Sequence, residues 1–177
     1  MKALLLIFAV SAARAADWTE PVEVRHEENL CVAYQARVDG EYLVVRAKIG
    51  PGWHTFAMDN RKRAEKALAG KKSLGIDHPT EIAVTGALNP VGPWLQAPPK
   101  DFSKPELRWF SWGFEQQTVF ATKVRRAGAG PAHLSIRGQA CTETTCKNID
   151  VAVSIPDSGG ANTEPSGIDL KNLVQVQ

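Results

Sequence analysis

Residues 132–155 read AHLSIRGQACTETTCKNIDVAVSI. Two runs of strand formers, Ala132–Ala140 and Asn148–Ile155, alternate in character along this stretch. In the second run Ile149, Val151, Val153 and Ile155 are set against Asp150, Ala152 and Ser154. That period of two places one apolar and one polar face on each strand. Cys141 closes the first run and Cys146 opens the second, with Thr142-Glu143-Thr144-Thr145 between them. In a hairpin with such a loop the flanking residues face each other. Facing residues on antiparallel strands have Cα atoms roughly 4.5–5.5 Å apart, inside the disulfide range of about 4.4–6.8 Å. The two sulfurs can meet without moving the backbone.

Working outward, the same period recurs. Leu30–Val38 and Glu41–Ile49 are joined by Asp39-Gly40, which predicts a hairpin with a type I′ turn. Trp53–Met58, Glu81–Leu88 and Gln117–Arg125 read as further strands. Residues Asp59–Lys72 break the pattern: Asp59 or Asn60 is placed to cap a short helix and Gly70 to end it. The cations Arg61, Lys62, Arg63, Lys66 and Lys71 in this segment suit either a solvated helix face or an anion or partner patch. Asn89–Pro105 contains Pro90, Pro93, Pro98, Pro99 and Pro105 and is expected to be a long excursion. About seven to nine strands at this spacing predict an all-β, immunoglobulin-like β-sandwich with one short helical insertion.

The 177 residues are 44% hydrophobic and 23% charged. This suits one globular domain and excludes general disorder. Met1-Lys2, the apolar run Ala3–Ala13 and the small residues of Ala13-Arg14-Ala15 read as a signal peptide over residues 1–16, removed on export. Without Lys2 and Arg14, 19 basic residues balance 19 acidic ones. Nucleic acid and anionic membrane surfaces are therefore not implied partners. No later stretch is long and apolar enough to insert in a bilayer. The expected organisation is a leader (1–16), a sandwich domain (17–156), and a Gly/Ser/Pro-rich linker with a short tail (157–177), the tail docked or loose. A periplasmic or secreted location follows, where disulfides persist.

Three cysteines, Cys31, Cys141 and Cys146, would survive leader removal. An odd number leaves one thiol over. A Cys141–Cys146 bond closes a loop of about six residues and stabilises by roughly 2 kcal/mol in the chain-entropy model. A bond from Cys31 closes about 110 residues and contributes nearly 5 kcal/mol. Three readings stand: an exchangeable redox pair Cys141/Cys146, a structural clip at the same place, or a core disulfide from Cys31 to one of the two.

Pro51-Gly52-Trp53-His54-Thr55-Phe56, a long insertion, and then Arg137-Gly138-Gln139-Ala140-Cys141 through Cys146 resemble the N-terminal periplasmic domain of the disulfide reductase DsbD and its stand-alone relatives. The resemblance covers roughly residues 20–156. It implies a catalytic Cys141/Cys146 pair that takes electrons from a membrane partner, here a separate donor, and passes them to periplasmic thioredoxin-like proteins. It implies Cys141 as the sulfur that joins a partner and Cys146 as the resolving thiol. It also implies a cap loop over the pair, whose counterpart is Trp109-Phe110-Ser111-Trp112-Gly113-Phe114. Trp109, Phe110 and Trp112 are the shielding residues on this reading. The same period-two aromatics equally suit a core-facing strand or a sugar-stacking platform.

His54, if near Cys141, would favour its thiolate when protonated. His26, His54, His78 and His133 lack metal-ligand spacing. No Gly-rich phosphate loop or nucleophile elbow is present. Neither a metal nor a cofactor is expected. The alternative to redox exchange is a non-catalytic, immunoglobulin-like protein- or glycan-binding module with a structural disulfide.

Overall fold

A computed structural model describes residues 18–157 and 169–177. The expected leader, and all but the first residue of the expected linker, lie outside the described residues. The strands are β1 (Val22–His26), β2 (Asn29–Asp39), β3 (Tyr42–Ile49), β4 (His54–Phe56), β5 (Glu81–Gly86), β6 (Leu88–Gln96), β7 (Lys100–Asp101), β8 (Trp112–Phe114), β9 (Gln117–Arg126), β10 (Ala132–Cys141), β11 (Cys146–Ile155) and β12 (Val174–Gln175). One helix, α1 (Asn60–Leu68), interrupts them. All pairings are antiparallel, in two sheets ordered β1-β2-β3-β9-β6-β12 and β11-β10-β4-β8-β7, with β5 also on β10. This is the all-β, immunoglobulin-like sandwich with one short helix that the period of two predicts.

The alternation in β10 and β11 survives intact. Leu134, Ile136, Ile149, Val153 and Ile155 are buried, while Asp150, Ala152 and Ser154 face solvent. They meet Tyr34, Leu43, Val45 and Phe120 of the other sheet in one core cluster. Each such side chain contributes about 1.5–3 kcal/mol by leaving water.

Three local expectations change. The β2–β3 hairpin is closed by Gly40-Glu41, because Asp39 pairs with Tyr42. Only Gly40 has positive φ, 58°. That is the type II′ pattern rather than type I′, with glycine at the first central position. The proline-rich excursion contains a strand, β6, paired to β9. Its register slips between Pro90 and Trp94. A bulge is where a strand tolerates residues without N–H donors. There Thr122 Oγ1 donates to the carbonyls of Gly92 and Pro93, at 3.1 and 3.3 Å. Finally, α1 ends on Ala69, itself left-handed at φ 48°, one residue before Gly70.

The tail docks. Val174 and Gln175 pair with Gln96 and Leu95, so β12 covers the outer edge of β6. Asp59 stands at the N-cap position of α1, but its side chain makes no capping bond. Its carboxylate instead accepts from Arg63 Nε and Gln96 Nε2, both at 2.8 Å, and from the Gln177 N–H at 3.3 Å. Neighbouring Asn60 is fully buried. It accepts from the Trp112 N–H at 2.8 Å and donates to the Asp77 carbonyl at 3.0 Å. This polar knot ties α1 to β6, to β8 and to the loop before β5.

At Gly113 the strands β4 and β8 approach so closely that a Cβ would collide with the Thr55 carbonyl oxygen. Gly113→Ala is expected to cost about 1–3 kcal/mol, read as a lowered urea midpoint. An unchanged midpoint would show that the two strands can part freely.

Candidate functional site

Cys141 ends β10 and Cys146 begins β11, directly opposite in register. They are joined by a disulfide with S–S 2.06 Å and Cα atoms 4.0 Å apart. The loop between them is ordered by Thr142. Its N–H donates to the Thr145 carbonyl at 2.8 Å, and its Oγ1 accepts from the Thr145 N–H at 3.1 Å. On its other flank Cys141 lies opposite His54 of β4. Residues in register share a face. His54, Cys141 and Cys146 therefore form a row across three neighbouring strands. Cys141 is 3% exposed, whereas Cys146 is exposed.

Cys31 is free and fully buried in the core cluster. Burial pushes its thiol pKa up, against the charge of Lys147 and a backbone hydrogen bond from His26. The core-disulfide reading is thereby overturned. Sequence spacing offered Cys31 a long loop to close, but the fold buries it in the core cluster while Cys141 and Cys146 bond to each other.

The disulfide lines one side of an open groove of about 1440 Å³. Trp53, His54, Phe102, Leu107 and Trp109 line it as well. The excursion between β7 and β8 contributes Phe102, Lys104, Leu107 and Trp109 to its lining. Its base is closed by Phe102 N–H to the Ser111 carbonyl at 2.9 Å and Lys104 N–H to the Trp109 carbonyl at 2.7 Å. The Trp109 indole donates to Asp77 Oδ2 at 2.8 Å. Asn60 holds the backbone of both Asp77 and Trp112, so the buried knot also positions this excursion.

Of the three shielding residues expected from sequence, Trp109 lines the groove and Phe110 and Trp112 do not. Trp112 packs against the hydrophobic core, next to buried Phe114. The period-two reading thus holds for Trp112 and Phe114. The aromatic that sequence reasoning missed is Phe102, whose ring centroid lies 5.0 Å from that of His54. Its only signal was an isolated aromatic inside a proline-rich stretch.

His54 is half-buried and sits edge-on to Phe56 at 5.2 Å. Desolvation lowers its pKa. Asp77 and Glu115 oppose this, while Lys100 and Lys104 add to it. Burial therefore favours the neutral imidazole in the disulfide form. A histidine with a depressed folded pKa takes up its proton in the unfolded chain first. Its contribution to stability is present above the ordinary value of about 6.5 and is lost as pH falls below it. His54→Gln is expected to flatten the stability–pH slope just below that value, measured by urea unfolding. An unaltered slope would place the imidazole in ordinary solvent.

The fold and site together define a class: an immunoglobulin-like sandwich carrying an accessible disulfide where a hairpin meets a groove. No protein-family model matches the chain, and no curated protein matches it by sequence. Among solved structures, the N-terminal periplasmic domain of ScsB from Proteus mirabilis is similar, with a TM-score of 0.57 and 15% identity. The alignment covers 89% of this chain and 56% of that one, so the chain spans little more than half of that structure. The Neisseria meningitidis DsbD N-terminal domain in the reduced form has a TM-score of 0.42 and 14% identity, over 73% of this chain and 87% of that one. The complex between the DsbD and PilB N-terminal domains of that organism has a TM-score of 0.42 and 12% identity, over 77% and 89%. The likeness to the ScsB domain is one of fold, and it is the fold that the sequence resemblance implied. Among the described residues, no helix is long and apolar enough to cross a membrane.

Proposed function

We propose that this domain carries out thiol–disulfide exchange through Cys141 and Cys146 in the periplasm. It would receive electrons from a membrane dithiol donor and pass them to thioredoxin-like proteins. One observation carries this reading: the disulfide lines a groove and joins an exposed residue, Cys146, to a buried one, Cys141. A bond that only clips a six-residue loop stabilises little, and nothing about that task needs an exposed cysteine.

Exposure also supports an order of attack opposite to the one implied by the family resemblance. An incoming thiolate meets Cys146. The Cys141–Cys146 bond breaks, Cys141 leaves as a thiolate, and a mixed disulfide joins Cys146 to the partner. The partner's second thiolate then attacks its own sulfur in that mixed disulfide and frees Cys146. The steps run in reverse toward an oxidised acceptor, with Cys141 as the resolving thiol. A bond to Cys31 would have favoured the binding-module alternative, and Cys31 is free.

Equilibration of the purified domain in glutathione buffers tests this reading. The expected potential lies above about −300 mV, among exchangeable disulfides. A bond that resists reduction below that value would make the disulfide a structural clip.

A further inference from the structure

β11 is the outermost strand of its sheet, and among the described residues it pairs with β10 alone. It runs for ten residues with no register slip. Its outward row is Cys146, Asn148, Asp150, Ala152 and Ser154, all exposed and none bulky. No proline interrupts it. Such an edge is a template for another strand.

Two features connect that edge to the disulfide. The first is the hydrogen-bond alternation. Thr142 and Thr145 bond to each other across the hairpin. Antiparallel neighbours alternate between inward and outward backbone groups. The N–H and C=O of Cys146, and next those of Asn148, therefore point away from β10 into the open edge. The second is the line of attack. Displacement at a disulfide sulfur proceeds with the three sulfurs nearly in line. The Cys141–Cys146 bond runs from β10 to β11. By register, His54 on β4 lies beyond Cys141, and the free edge lies beyond Cys146. A thiolate that approaches Cys146 from the side away from Cys141 comes from where a strand added to β11 would carry a side chain.

We propose that the reducing partner docks as an extended, cysteine-bearing peptide segment laid antiparallel along the β11 edge, its cysteine opposite Cys146. This rests on the exchange reading above and names how that partner is held. The partner cysteine and Cys146 would form a hydrogen-bonded cross-strand pair. The Cα separation of such a pair, about 5.5 Å, lies within the disulfide range. The partner thiolate displaces Cys141 as its thiolate. One bond forms and one breaks, and the partner sulfur is oxidised as Cys141 is reduced.

The test uses the oxidised domain and short capped peptides of extended sequence with a central cysteine. The rate of Cys141 thiol release is read by alkylation and mass spectrometry. N-methyl groups on the residues two before and two after the cysteine remove donors facing β11. The same groups one residue away on each side remove donors facing solvent. The first peptide is expected to react about tenfold more slowly than the second, the scale of one or two lost hydrogen bonds. Asn148→Pro deletes an outward N–H without touching the β10 ladder. It is expected to bring the second peptide down to the rate of the first and to leave reduction by dithiothreitol unchanged. Equal rates for the two peptides on the unaltered domain would overturn edge docking and leave the exchange reading standing. A bond that dithiothreitol fails to open would overturn the exchange reading itself.

Discussion

Cys141→Ala is expected to turn the domain into a trap for its partners, and Cys146→Ala is expected to trap almost nothing. In the first variant the exposed Cys146 stays free. Supplied with a thioredoxin-like protein whose resolving cysteine has been replaced and whose remaining cysteine carries thionitrobenzoate, its thiolate attacks the partner sulfur. Coloured thionitrobenzoate leaves, and the mixed disulfide persists because the resolving thiols of both proteins have been removed and Cys31 is buried in the core. In the second variant the remaining thiol of the pair is Cys141, 3% exposed in the disulfide form and flanked by His54. Access governs this chemistry as much as thiolate content, so trapping is expected to be slower by on the order of 100-fold. Release of colour against time measures both variants. Equal rates would show that Cys141 becomes exposed once the bond is gone, and the order of the sulfurs would then be undecided by burial. Either variant loses the short disulfide loop, which costs about 2 kcal/mol in the chain-entropy model. That is small enough for the fold to persist in both.

The second large effect is expected far from the sulfurs. Asp59 is buried, and its carboxylate gathers Arg63, Gln96 and the Gln177 N–H. Burial alone would raise its pKa. Hydrogen bonds from Arg63, Gln96 and Gln177, with the charge of Arg63, overcome that and hold it below the ordinary carboxylate value. Asp59→Ala leaves the fully buried Gln96 amide without its acceptor and Arg63 without its partner. The expected cost is about 3–5 kcal/mol, as for other broken buried ion pairs. A chain of this size would show it as a melting temperature lower by about 10 °C.

The pH dependence carries a sign. A depressed folded pKa means that the unfolded chain takes up the proton first as pH falls. The Asp59 contribution is therefore full above the ordinary Asp value of about 3.9 and is lost as pH falls through the folded value. The Ala variant should lack that part of the acid slope. A loss below 1 kcal/mol, with the acid slope intact, would mean that the knot is solvated. Because the same knot holds Asp77 and Trp112 through Asn60, slower exchange with a partner should accompany the lost stability.

The features legible in the sequence are those that depend on near neighbours. Alternation in 132–155 defines two strands, and the four-residue loop sets Cys141 against Cys146, because register in a hairpin follows from loop length. The short helix after Met58 is legible because charged residues surround a few apolar ones. Local reading stops where a strand is stabilised by a distant one. Pro90 and Pro93 argue for a loop, and the long pairing with β9 absorbs them in a bulge. Asp59 invites a capping role, yet buried Gln96 on β6 competes for the same carboxylate and wins it.

The site divides in the same way. That the two cysteines can bond was determined by the sequence alone, through the length of the segment between them. That Cys31 stays out of the bond, that His54 stands beside Cys141, that Phe102 lines the groove while Trp112 packs against the core, and that Cys146 is the exposed cysteine on a free edge were decided only by tertiary structure. Each depends on which strands lie side by side and which face the core, and those choices are made by the burial of apolar surface across the two whole sheets.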